Sequence, residues 1–182
     1  MEVFKGIILC LSISLVSCDY ACYSKSVGDC FNNVAEQRRG KDPGSEDEKF
    51  CQLYSDIALC QRNAAVQCST GFADVAEKAY SAIIDICTEG TETYKAIKSD
   101  PKCNLASVYN SQGCNKDLDE AQKDIDSNDV VANMKLICIY IDSIKDCATK
   151  NFEKCGDQTK KAFNSLLASS IELQKKSCNL IP

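Results

Sequence analysis

The sequence predicts an all-α protein built of two tandem, disulfide-stapled three-helix units, and three observations carry that prediction. Apolar residues recur at spacings of three and four, as one face of an α-helix requires. No segment alternates apolar with polar residues as a half-buried strand would. The cysteine pattern Cys51-x8-Cys60-x7-Cys68 returns as Cys138-x8-Cys147-x7-Cys155, displaced by 87 residues. Each triplet follows a pair, Cys22 and Cys30 or Cys103 and Cys114, and precedes a single cysteine, Cys87 or Cys178. Ile57 over Ile144 is among the few other coincidences between the copies, so the repeat reads as an old duplication kept mainly by its crosslinks.

The chain opens with a short head carrying Lys5 and an apolar run of eleven residues, Gly6–Val16, ending in small side chains. That is the pattern of a secretory signal peptide over residues 1–18, too short for a bilayer-spanning helix and cleaved before Asp19. Leu15-Val16-Ser17-Cys18 also fits a bacterial lipobox, but so high a cysteine density points to a eukaryotic secreted chain. Residues 19–90 then form the first six-cysteine unit, 91–101 a linker, and 102–182 the second unit. No later stretch is long and apolar enough to span a membrane, and no Asn-x-Ser/Thr sequon occurs.

In the first unit Tyr20, Tyr23, Val27, Phe31 and Val34 mark one helical stripe, and Phe50, Leu53, Ile57, Cys60 and Ala64 mark a second. Arg38–Gly44 supplies a turn. Ser45-Glu46-Asp47-Glu48 is a capping box: the Ser45 hydroxyl accepts an early backbone N–H and Glu48 reaches back, so the second helix starts near Glu46. Phe72, Val75, Ala79, Ile83 and Ile86 form the third helix. Turn-forming residues between Thr88 and Pro101 mark the boundary, with Tyr94–Ile97 as a short linker helix. The second unit repeats the pattern with Val130, Met134, Ile137, Ile141, Ile144 and Ala148, followed by Phe163, Leu166, Leu167 and Ile171.

Helix geometry narrows the 15 pairings that six cysteines allow. At about 100° and about 1.5 Å per residue, Cys51 and Cys60 lie on opposite sides of one helix and must serve different neighbours. A hairpin turning near Ser69 and Thr70 brings Cys87 beside Cys51. Cys60 and Cys68 are left for Cys30 and Cys22, which have matching spacing. The expected bridges are Cys51–Cys87, Cys30–Cys60 and Cys22–Cys68. Equivalence of position then gives Cys138–Cys178, Cys114–Cys147 and Cys103–Cys155. The alternative set, Cys30–Cys51, Cys22–Cys60 and Cys68–Cys87, would need a broken third helix, because a disulfide holds Cα atoms within about 7 Å.

Chemistry is constrained by what is missing. There is no histidine, so imidazole general bases, Ser-His or Cys-His nucleophiles and imidazole metal ligands are excluded. The mature cysteines contain no C-x2-C pair for zinc or redox work. A net charge of −5, with basic residues only in short tracts such as Arg38-Arg39-Gly40-Lys41, Lys160-Lys161 and Lys175-Lys176, argues against nucleic acid as a partner. The carboxylates of Glu46-Asp47-Glu48 suit a helix start, and those of Asp117, Asp119 and Glu120 a solvated helix face. No catalytic residue, metal site or cofactor is therefore expected. Tyr20, Tyr23, Tyr54, Tyr80, Tyr109 and Tyr140 fit core packing or the lining of a ligand cavity.

The paired six-cysteine helical units, with C-x8-C-x7-C in and after the second helix, resemble the secreted cysteine-rich helical proteins of arthropods and nematodes, among them the insect haemolymph glycoprotein family. That resemblance spans Cys22 to Cys178 and implies no catalytic residues. The leading expectation is a secreted, extracellular, non-enzymatic protein, a structural or interaction component of a secretion, fibre, matrix or body fluid that meets other extracellular proteins. Two alternatives stand beside it: a carrier of apolar small molecules, and a toxin or effector that binds a foreign protein.

Overall fold

The computed structural model describes residues 3–40, 44–103, 105, 113–126 and 129–182. Its elements are α1 (Val3–Arg38), α2 (Glu46–Gln67), α3 (Ala73–Cys87), α4 (Glu92–Ser99), α5 (Lys116–Gln122), α6 (Val130–Asn151), a 3-10 turn (Phe152–Lys154) and α7 (Asp157–Cys178). Among the described residues there is no β-strand. No helix among them is long and apolar enough to cross a membrane.

Local chemistry sets the helix starts. At α2 the Glu48 N–H donates to the Ser45 hydroxyl at 3.3 Å while the Ser45 N–H donates to the Glu48 carboxylate at 2.6 Å, closing the box. Thr91 accepts from the Tyr94 N–H at 3.0 Å to start α4, and Asp129 accepts from the Ala132 N–H at 2.9 Å to start α6. At α7 the cap comes from outside the helix: the Asp100 carboxylate accepts the Gly156 N–H at 2.7 Å. Between α2 and α3 the chain reverses at Ser69, which takes a left-handed backbone conformation with φ of 51°.

Six disulfides tie these helices: Cys22–Cys68, Cys30–Cys60, Cys51–Cys87, Cys103–Cys155, Cys114–Cys147 and Cys138–Cys178. They are the pairs expected from helix geometry, and they use all the cysteines except Cys10 and Cys18. Cys22 and Cys30 of α1 meet Cys68 and Cys60 at and before the end of α2, so two bridges clamp an antiparallel helix pair. Most of the segment between Cys103 and Cys114 lies outside the described residues.

The two halves share their interior. One core cluster joins Phe50, Ala58, Ile83 and Ile86 of the first half to Phe152, Phe163, Leu166 and Leu167 of the second. Ile97 of α4, in the stretch expected as a linker, is buried in the same cluster beside Leu105. Phe152 and Phe163 stack with ring centroids 5.2 Å apart. A second cluster gathers Tyr23, Ala64, Ala65, Phe72, Val75 and Ala79 around Leu173 of α7. Helix α7 therefore packs on α3 as well as on α6, and it closes both clusters.

Polar links follow the same seams. Arg38 at the end of α1 reaches the buried Asp56 of α2 at 2.7 Å, and Lys98 of α4 reaches Asp47 of α2 at 2.6 Å. Burial pushes the Asp56 carboxyl upward, with the Arg38 guanidinium opposing it. The hydrogen bond to Asp47 is the main cause that raises the Lys98 ammonium. Thr159 donates to the Ala96 carbonyl at 3.2 Å, fixing α7 to α4.

Candidate functional site

The apolar stripe of α6 has an unusual fate. Of its described side chains only Ile141 is buried, and Ile139 is 72% exposed. Met134, Ile137, Ile144 and Ala148 are half-buried and line cavities, with Ala148 also packed against the edge of the first core cluster.

Three cavities run side by side in the seam between the halves. The first, about 280 Å³, lies between Tyr54 of α2, Ile137, Ile141 and Ile144 of α6, and Leu167 and Ile171 of α7. The second, about 170 Å³, lies between Ile57 and Ala58 of α2, Ile83 of α3, and Leu166 and Leu173 of α7. The third, about 250 Å³, is bounded by Tyr20, Tyr23 and Val27 of α1, Gln61 of α2 and Met134 of α6. Gln174 of α7 lines all three. Tyr54 and Ser170 are common to the first two, Gln61 to the last two, and Ile137 to the first and third. The three thus adjoin one another along shared walls and together make up the cleft. Each is smaller than a typical small-molecule site of about 300–1,000 Å³, a range the joined cleft reaches.

No residue lining these three cavities carries a formal charge, in a chain of which 26% is charged. The polar atoms that face the cleft belong to tyrosine, serine, asparagine and glutamine. Burial raises the Tyr54 phenol, and burial also raises Tyr23 against the opposing hydrogen bond from Ser177, so both stay neutral at physiological pH. The Tyr23 and Ser177 hydroxyl oxygens are 3.2 Å apart and tie α1 to α7 at one end of the cleft. At the same end the buried hydroxyl of Tyr20 has no hydrogen-bond partner in the protein. An unsatisfied buried hydroxyl costs about 1–3 kcal/mol.

Of the six tyrosines singled out in the sequence, Tyr20, Tyr23 and Tyr54 thus reach the cleft. Tyr80 instead lies under the Arg62 guanidinium, 4.6 Å from the ring centroid. Tyr140 is half-buried away from these walls, and Tyr109 lies outside the described residues. Sequence reasoning did not single out Gln61, Ser170 or Gln174, because polar residues on a helix give no periodic signal of their own.

Other clusters offer less. Asp100, Cys103 and Cys155 converge, but both sulfurs are spent in one disulfide, and the carboxylate already accepts the Gly156 N–H at 2.7 Å and the Lys102 N–H at 3.0 Å. Those backbone donors hold the Asp100 carboxyl below its ordinary range. A cleft of about 370 Å³ between α3, α4 and α7 has the charged residues Asp85, Glu92 and Lys161 in its lining, with Asp85 engaged by the Thr93 hydroxyl. Asp117, Asp119 and Glu120 are exposed on α5, on the face opposite the buried Leu118.

Comparison of the chain with protein-family models, with curated proteins and with solved structures finds no match.

Proposed function

We propose that the chain is exported, loses residues 1–18, and works outside the cell as a non-enzymatic binding protein that holds an apolar small molecule between its two disulfide-tied halves. The single observation behind this reading is the uncharged cleft that Gln174 of α7 threads from Tyr20 to Leu167. Cleavage before Asp19 keeps Cys22 and Cys30 on the remaining part of α1, so all six bridges survive it. Each bridge stabilises the fold by about 2–4 kcal/mol through restriction of the unfolded chain, which suits service in an oxidising compartment.

The test is to express the full chain in a eukaryotic secretion host and extract the purified oxidised protein with organic solvent for mass spectrometry. The expected result is an N-terminus at Asp19 and close to one apolar molecule per chain, or uptake of the neutral probe N-phenyl-1-naphthylamine at that ratio. A chain with six intact disulfides that carries nothing and takes up no probe overturns the carrier reading.

A second reading, an interaction or structural component of a secretion, fibre, matrix or body fluid, is favoured by Ile139, Val66 and Leu53. These stand 72%, 62% and 45% exposed on α6 and α2. Isolated apolar side chains are common on surfaces, which is why the cleft carries more weight.

A further inference from the structure

The cleft also constrains which apolar molecule it can hold, an inference that rests on the binding function proposed above. Its α6 wall, from Met134 through Ile137, Ile141 and Ile144 to Ala148, is one helix face about 21 Å long at about 1.5 Å per residue. That shape suits an elongated chain rather than a compact ring. Its lining offers no lysine or arginine to pair with an anion. A carboxylate drawn into it would lose water without gaining a side-chain counter-charge, whereas a neutral oxygen would need only one hydrogen-bond partner. Tyr20 lines one end of the site with Met134 and Gln174, and its hydroxyl, shielded from water and without a partner in the protein, is the group that a head reaching that end would satisfy.

We propose that the cleft takes an uncharged long-chain lipid bearing a single hydrogen-bonding oxygen, of the fatty-alcohol class, with its head at Tyr20 and its chain along α6, and that it rejects the corresponding carboxylate. Gln174 lines all three parts of the site, so a charge introduced there would change the lining of each.

The experiment titrates the mature oxidised protein calorimetrically with dodecan-1-ol and with dodecanoate at pH 8. Dodecan-1-ol is expected to bind one to one and at least tenfold more tightly. Dodecanoate should gain affinity as the pH is lowered through its own carboxyl range, because the neutral acid is the form that enters. Gln174→Arg, on a helix whose fold is checked by circular dichroism, should shift the preference toward dodecanoate by placing a cation in the seam. Tyr20→Phe should weaken dodecan-1-ol at least threefold while leaving the melting temperature of the empty protein the same or higher, because it removes an unpaired buried hydroxyl. Dodecanoate binding at pH 8 as tightly as the alcohol overturns this inference and leaves the binding function standing. An unchanged affinity in Tyr20→Phe overturns the head-group assignment. Failure of both probes to bind, together with an empty solvent extract, overturns the binding function itself.

Discussion

Helices α2 and α6 occupy the same place in the two cysteine repeats, yet their surroundings differ. Helix α2 lies between α1 and α3 and buries Phe50, Asp56, Ala58, Cys60, Ala64 and Ala65. Helix α6 has α7 on one side and the short α5 on another, and of its described side chains buries Ile141 alone. The bridges are equivalent: Cys51–Cys87 and Cys138–Cys178 each tie the middle helix to the end of the third, closing loops of 36 and 40 residues. Crosslinking therefore holds the architecture in both halves, while packing is spent unevenly. In the first half the middle helix is core. In the second it is a wall.

Substitutions that remove matched groups from the two helices test this contrast. Phe50→Ala should lower stability by about 3–5 kcal/mol, the range for a buried phenylalanine, whereas Ile137→Ala should fall below about 2 kcal/mol because the site it leaves is already open. Guanidinium unfolding of the oxidised proteins measures both, and equal losses would break the contrast. Helix starts should behave alike in the two halves. Ser45→Ala and Asp129→Ala each remove a side-chain cap and should each cost about 1 kcal/mol by the same measurement. A difference of more than about 1 kcal/mol between them would place part of the asymmetry in local helix stability rather than in packing. The smallest effect belongs to Ile139→Lys, which should stay within about 0.5 kcal/mol at so exposed a position, read as a shift in melting temperature.

Much of the fold was legible because it depends on short-range rules. The Ser45 box needs four residues, the reversal at Ser69 follows from where the apolar stripe of α2 ends, and the opposition of Cys51 and Cys60 is fixed by the helical repeat. The cleft was not legible, for a related reason. Periodicity shows that Met134, Ile137, Ile141, Ile144 and Ala148 share a face, but it says nothing about what covers that face. That depends on α7, whose Phe163, Leu166 and Leu167 pack into a cluster with Phe50 and Ile83 and so leave α6 partly uncovered. Sequence spacing likewise treats Tyr20 and Tyr80 as equals, although one lines the cleft and the other lies beneath Arg62. The same long-range packing explains Ile97, whose burial with Phe152 and Phe163 makes the stretch between the repeats part of the interior.

Helix α7 leaves the ribosome after the other described helices, and both core clusters wait for it. The three bridges of the first half, Cys22–Cys68, Cys30–Cys60 and Cys51–Cys87, join residues that all emerge well before it, so that half can be oxidised while the rest of the chain is still being made. Its apolar faces at Phe50, Ile83 and Ala79 nevertheless stay wet until Phe163, Leu166 and Leu173 arrive. A stop codon ahead of Cys147 would thus yield a chain that can close only the three bridges of the first half and has a sticky, unfinished interior.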